Sequence, residues 1–407
     1  MGQGTGRNMR PRRLGLRGAF AIASVALPVV LSACFFTLED VVPPVSDAGA
    51  YEAASFDSSV PDTNLPPPYD ANTIRPDATQ GFDAGNSCGA LLASDPLNCG
   101  TCGHSCITGT CTSSLCAPTV LANETGLRGL AVDAQYVYYS SARGLIRLTK
   151  TGGTGVVVTN TAAPNAALAV DATYLFAAES SAVSGNPSVM RASRLGTSQV
   201  PALLSNLQGD PSSIALDSLR VYWSSGATLF AAPKDGSLDG GSQTLTGATV
   251  GNPIVSLASD GTSLYWTAGA RVSSCNLPTC ASNVILASGV QPFGLTTFNG
   301  NAYFTDVGNG TVQYCATSGC GGGQIQLAGA QQTPYGIAAD SVGVYWTNRG
   351  NNMVMTCDLP GCAKGPRAIA RTGANPGAIV LDASYVYWIN SDPTLSGSTG
   401  TLMRVVR

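Results

Sequence analysis

The chain has 407 residues, of which only 11% are charged, with a formal net charge of −3. So sparse and balanced a charge leaves no electrostatic footprint for nucleic acid, and 48 glycines with 24 prolines exclude a body of long helices. A lone histidine, His104, removes Ser-His-Asp hydrolysis, His-rich metal sites and most general-base chemistry near neutral pH.

Residues 1–33 read as an export signal. Arg7, Arg10, Arg12, Arg13 and Arg17 precede a run of small and apolar residues from Gly18 to Ala33, interrupted by Pro28. That run is too short to span a bilayer of roughly 30 Å comfortably. It ends in Leu31-Ser32-Ala33-Cys34. These four residues resemble the bacterial lipobox, and the resemblance implies that Cys34 becomes the lipidated first residue of a mature lipoprotein. Phe35 stands where an aspartate would favour inner-membrane retention, so the lipoprotein pattern implies the outer membrane. Arg12-Arg13 is a weaker match to a twin-arginine signal. Two or more acyl chains anchor a protein stably where one would be reversible. Residues 34–87 then read as the lipidated cysteine followed by a disordered stalk. Seven prolines, nine acids and the single base Arg75 cannot bury enough surface to offset chain entropy.

Residues 88–116 hold Cys88, Cys99, Cys102, Cys106, Cys111 and Cys116. In an exported chain such density reads as a disulfide framework, with 15 possible pairings left open. Cys99, Cys102, Cys106 and His104 also have roughly zinc-ligand spacing; export favours the oxidised reading, so no metal is expected. The run from Asn98 to Cys106 resembles Cys-rich modules that precede propellers in some bacterial surface lipoproteins.

The remainder, 117–407, repeats. An aromatic pair recurs at Val137-Tyr138-Tyr139, Tyr174-Leu175-Phe176, Val221-Tyr222-Trp223, Leu264-Tyr265-Trp266, Ala302-Tyr303-Phe304, Val344-Tyr345-Trp346 and Val386-Tyr387-Trp388. All four tryptophans share one slot. Six residues upstream, or five in the second repeat, stands Asp133, Asp171, Asp217, Asp260, Asp340 or Asp382, with Phe298 replacing it in the fifth. Each unit carries four short β signals punctuated by Gly, Asn and Asp. Four strands per unit of roughly 42 residues predict an all-β chain forming a seven-bladed β-propeller. The seventh unit lacks a fourth strand, and Thr119-Val120-Leu121-Ala122 can fill that vacancy as an N-terminal closing strand; a six-bladed ring is the rival. The aromatic strands resemble those of YWTD and NHL-type propellers, Tyr303-Phe304-Thr305-Asp306 coming nearest to the full tetrapeptide. Three equal spacings, Cys275/Cys280, Cys315/Cys320 and Cys357/Cys362, read as disulfide clips between third and fourth strands.

On the opposite face, at the mouth of the ring, candidate ligand contacts are Glu179, Asp306, Asn309, Asn348, Arg349, Asn351, Asn352 and Asp392. Asn and Asp also favour such turns for their own hydrogen bonds. No catalytic residue and no cofactor stand out. Antibiotic-lyase propellers use histidine chemistry, and residues 118–407 contain no histidine. Phosphate-loop, nucleophile-elbow and dinucleotide-binding motifs are absent. The expectation is a surface lipoprotein, membrane-bound through its lipid, whose propeller binds an extracytoplasmic protein, peptide or glycan. A metal-dependent lactonase or hydrolase, or a structural envelope component, are the alternatives.

Overall fold

The computed structural model describes residues 1–2, 92–100, 104–107, 109–160, 167–180, 187–206, 209–237, 242–245, 250–320, 323–373, 375–390 and 399–407. The signal segment beyond Gly2, Cys34, the stalk, Cys88, Cys102 and Asp392 lie outside the described residues. From residue 92 onward, these residues fall in one compact unit, Pro76–Arg407.

Seven antiparallel four-stranded sheets make up residues 119–406, with no helix among the described residues. We number them as blades 1 to 7. Their first strands are Leu130–Val132, Ala167–Val170, Pro211–Leu216, Ile254–Ser259, Pro292–Phe298, Pro334–Ala339 and Pro376–Leu381. Each first strand touches the first strand of the next blade, and the seventh touches the first, so these strands line the axis of a closed ring. Blade 7 takes its fourth strand from the N-terminal side: Thr119–Thr125 pairs antiparallel with Thr399–Val406.

The aromatic pair explains the ring. Adjacent strand residues point to opposite faces, so each pair reaches into two interfaces. Tyr138 packs with Leu175 and Ala177 of blade 2, Phe176 with Val221 and Trp223 of blade 3, and Tyr222 with Leu264 and Trp266 of blade 4. Tyr265 meets Ala302 and Phe304, Tyr303 meets Val344 and Trp346, and Tyr345 meets Val386 and Trp388. Tyr387 closes the circle on Val137 and Tyr139 of blade 1. The first slot of the pair, a tyrosine in every blade but the second, faces the following blade, and the last slot faces the preceding one. This corrects the alignment of the second repeat. Phe176 pairs with Ala169, as Tyr138 pairs with Ala131, so it occupies the tyrosine slot and Ala177 the last-aromatic slot.

The aspartates cap the turn between first and second strands. Oδ1 of Asp133 accepts from the amides of Gln135 and Tyr136, and Oδ2 accepts from the Tyr138 hydroxyl at 2.8 Å. Asp217–Tyr222, Asp260–Tyr265 and Asp382–Tyr387 repeat that hydroxyl bond. Blade 5 dispenses with an aspartate because Phe298 pairs directly with Asn301 across a two-residue turn. Asn299 and Gly300 there both have positive φ, 46° and 73°, the geometry that Asn-Gly hairpins supply.

Neighbouring blades are fastened at this same rim in two ways. In four blades the residue after the third strand is a cation that reaches back to the preceding blade's aspartate: Arg194 to Asp133, Lys234 to Asp171, Arg407 to Asp340 and Lys150 to Asp382. Blades 4, 5 and 6 place Leu277, Thr317 and Leu359 in that slot. There the disulfides Cys275–Cys280, Cys315–Cys320 and Cys357–Cys362 form instead, packed beside Tyr222, Tyr265 and Tyr303 of the preceding blades. Each such short loop contributes roughly 2 kcal/mol by restricting the unfolded chain.

The rim makes stability depend on acid. Burial pushes the carboxyls of Asp133, Asp171, Asp260, Asp340 and Asp382 up, but hydrogen bonds from turn amides, tyrosines and cations outweigh it and leave each below its ordinary value. A carboxyl depressed in the folded state stabilises it above the unfolded value of about 3.9, and that contribution is lost as pH falls through the folded value. The melting temperature is therefore expected to fall steadily between about pH 4 and pH 2. A flat melting temperature over that span, measured by calorimetry, would contradict the assignment.

In the cysteine module, Cys99–Cys111 and Cys106–Cys116 are disulfides. Their sulfurs are therefore not zinc thiolates, and Nδ1 of His104 donates to the Cys99 carbonyl at 2.7 Å. The four cysteines pack into the blade 6–7 core, and Leu115–Cys116 lies against the outer strand of blade 6, Arg367–Arg371.

Candidate functional site

The inner strands surround a cavity of about 470 Å³, walled by residues from all seven blades. The strands approach closely because small residues recur at one level. A Cβ on Gly294 would lie 2.3 Å from the Tyr335 carbonyl oxygen, and one on Gly336 would lie 2.4 Å from that of Gly377. Bulges beside these positions break the pairing of first and second strands, and second-strand hydroxyls repair it. Thr305 Oγ1 accepts from the Gly294 amide at 2.9 Å and donates to the Tyr335 carbonyl of the next blade at 2.8 Å. Thr347 does the same between the Gly336 amide and the Gly377 carbonyl. Thr267 donates to the Phe293 carbonyl, and Ser212 to the Ile254 carbonyl. The threonine following the aromatic pair is thus a clamp between blades.

The bulges of blades 3 to 6 bring first-strand residues to the cavity wall, and Arg128 stands just ahead of the first strand of blade 1. Arg128, Ser212, Val255, Phe293 and Tyr335 line the cavity at this level, and Gly377 leaves a gap in blade 7 beside Arg349, from the second-to-third-strand loop of blade 6. The Phe293 and Tyr335 ring centroids lie 3.7 Å apart. The Arg349 guanidinium carbon sits 3.2 Å from the Tyr335 centroid, and its Nε donates to the Pro376 carbonyl at 3.3 Å. Burial pushes the Tyr335 hydroxyl up, while Arg349 and Arg128 both pull against it. Two guanidiniums from opposite ends of the chain therefore act on one point of the wall. No acid and no histidine stand among the described lining residues.

Of the described residues singled out from the sequence, Arg349 alone lines this cavity. Glu179, Asp306 and Asn348 occupy one equivalent slot, the end of the second strand in blades 2, 5 and 6, and each is at most 1% exposed. Asp306 accepts from the Gln291 and Asn309 amides, the Asn309 side chain and Gln313. Asn348 donates to Gln331 Oε1, which also accepts from Trp346 Nε1. Asn352 lies in the hairpin turn with φ of 55°, its Oδ1 accepting from the Asn375 amide, and Asn351 is exposed beside it. Arg128, Phe293 and Tyr335 were not anticipated. The available signal is the Pro-aromatic-Gly triplet that opens two inner strands, Pro292-Phe293-Gly294 and Pro334-Tyr335-Gly336.

No protein-family model matches this chain, and no curated protein matches it. Among solved structures, selenomethionine-substituted virginiamycin B lyase from Staphylococcus aureus is similar, with a TM-score of 0.55 at 14% identity over 70% of this chain and 97% of that one. A catalytically inactive histidine-to-alanine variant of the same lyase with quinupristin gives a TM-score of 0.57 at 14% identity, covering 71% of this chain and 98% of that chain. The WD40 propeller domain of Doa1 gives 0.54 at 13% identity, covering 72% and 97%. At these identities the likeness is one of fold, a β-propeller.

Proposed function

We propose that this protein is an exported lipoprotein, anchored to the outer membrane through Cys34, whose propeller is a binding module for an extracytoplasmic ligand. The observation that carries this reading is the axial cavity, walled by all seven blades and carrying convergent polar and aromatic side chains, the usual form of a ligand site. Fold likeness to the lyases does not bring their activity. The inactive lyase variant lacks a histidine, and no histidine exists in this ring, His104 being in the cysteine module. A metal-dependent hydrolase would need several oxygen ligands gathered at the axis. The described wall offers guanidiniums and no carboxylate.

The Cys34→Ala chain is expected to move from the membrane fraction to the soluble fraction, and in soluble form to bind saturably to one member of a glycan and peptide panel. Retention in the membrane would overturn the anchor. Turnover of a lactone or ester that vanishes with a chelator would overturn the binding reading in favour of the hydrolase.

A further inference from the structure

We infer that the cysteine module is a force-bearing clasp, which takes up a pull arriving along the N-terminal chain before that pull reaches the closing strand of blade 7. The inference rests on the anchored binding-module reading for the source of the pull, a lipid on one side and a bound ligand on the other. Three observations support it.

The first is a weak end. The closing strand enters blade 7 at Thr119, and both Thr119 and Val120 are exposed. A bulge between Val120 and Ala122 interrupts their ladder on Thr399–Val406. Burial begins at Leu121, which is 6% exposed. A pull delivered at Thr119 would load the exposed pair first, and the hydrogen bonds behind it would break in turn. Because this strand closes the ring, its release opens blade 7.

The second is that the module resists lengthening. Cys99–Cys111 and Cys106–Cys116 cross-link it, and only Ala117 and Pro118 separate Cys116 from Thr119. Cys111–Thr112 and Leu115–Cys116 form a hairpin. Its turn residues Ser113 and Ser114 have φ of 53° and 66°, the left-handed pair of a tight type I′ turn. The entry side of the module is tied back to the same region. The Leu92 carbonyl accepts from the Gly100 amide at 2.8 Å, and the Ala93 carbonyl from the Ser114 amide at 3.2 Å. A pull at Leu92 therefore crosses two disulfides and a hairpin, where a plain linker would extend.

The third is the seat. Leu115–Cys116 lies against Arg367–Arg371, the outer strand of blade 6. The four bridged cysteines are buried in one cluster with Ile369 of blade 6 and Val405 of blade 7. The module thus grips an element other than the closing strand. An apolar seat of this kind gives way only when its buried area is exposed together, whereas the end of a ladder gives way bond by bond. Pull and closure are thereby separated.

The test is unfolding at constant force in an optical trap, with handles at the N-terminus and at Arg407. It compares the full-length chain carrying Cys34→Ala with two variants of it, Cys106→Ala with Cys116→Ala, and Cys99→Ala with Cys111→Ala. Each variant removes a whole disulfide and alters no residue of the seven blades. The lifetime of the closed ring at a fixed force reads its unfolding rate. It is expected to shorten at least about tenfold in each variant, which is within the effect of losing one disulfide. A lengthening step from the module should also precede ring opening in the variants and be missing in the parent. The rate of urea unfolding, in which nothing pulls on the N-terminus, should change far less. Unchanged lifetimes in both variants would overturn the clasp. So would a urea unfolding rate that rises as much as the lifetime falls, which would make the module an ordinary part of the fold. Neither measurement involves the lipid or a ligand, so the clasp can fail while the anchored binding module stands, and the reverse.

Discussion

Deleting residues 1–125 is expected to abolish cooperative folding of the propeller, whereas a chain that begins at Thr119 melts cooperatively. The difference is the closing strand Thr119–Thr125, the fourth strand of blade 7. Its loss strips the ladder from Thr399–Val406 and leaves an eight-residue open edge, a template for association with other chains. It also removes Leu121 from the core that joins Tyr387 and Leu402 to Tyr139 and Leu127. Glu124 goes too. Its carboxylate accepts from the Tyr139 hydroxyl at 2.8 Å and pairs with Arg143, so a buried tyrosine loses its partner. An unsatisfied buried hydroxyl costs about 1–3 kcal/mol, a buried leucine side chain about 2–5, and the strand's hydrogen bonds add to both. Against a total stability of about 5–15 kcal/mol this is disabling. Thermal unfolding with size-exclusion chromatography reads the outcome. The Thr119 start controls for loss of the cysteine module, and equal melting temperatures for the two truncations would show that the ring does not depend on this closure.

How much of this was legible in the sequence differs between the frame and the mouth. The blade frame is periodic and therefore visible. Every repeat must hide an aromatic on each side of its sheet, so Tyr345-Trp346 and its copies announce both the strand and the count. The vacancy in blade 7 and the strand that fills it were readable for the same reason. The second repeat misled because its interface with blade 1 is filled differently. Ala177 stands in the last-aromatic slot, and Met190, Leu168 and Tyr138 occupy the volume around it, so an alignment on the aromatic lands one residue early. The rim was half visible. The three cysteine pairs stand out, but Lys150, Arg194, Lys234 and Arg407 become equivalent only once the third strands are superposed. Glu179, Asp306 and Asn348 stand at the ends of second strands and are buried there, and burial of a polar strand-end residue is what the sequence does not report. The cavity wall was illegible for a different reason. Its side chains differ from blade to blade, arginine in one, phenylalanine in another, glycine in a third, because these positions face the axial cavity and not the blade interfaces that every repeat must fill. Variation inside a repeat is the expected mark of a site borne on a repeated scaffold.

Replacing Trp346 by alanine is the single substitution expected to cost most, about 3–5 kcal/mol. The indole is fully buried between blades 5 and 6, among Tyr303, Val312, Leu327, Ile337, Val344 and Cys357. Two neighbours limit how far the site can collapse into the void. Cys357 is tied to Cys362, and the first strands beneath are held by the Thr305 clamp on the Tyr335 carbonyl. A cavity that cannot close retains its full cost. A second loss adds to it. Nε1 of Trp346 donates to Gln331 Oε1 at 3.0 Å, an acceptor shared with Asn348 Nδ2. Trp346→Phe separates the two effects, since it keeps most of the apolar volume and deletes the donor. With Asn348 still bonded to Gln331, the phenylalanine variant is expected to lose about 1–2 kcal/mol, less than half the alanine loss. Urea unfolding at neutral pH measures both. An alanine variant within about 1 kcal/mol of the parent would mean that the aromatic slot is not what holds blade 6 against blade 5.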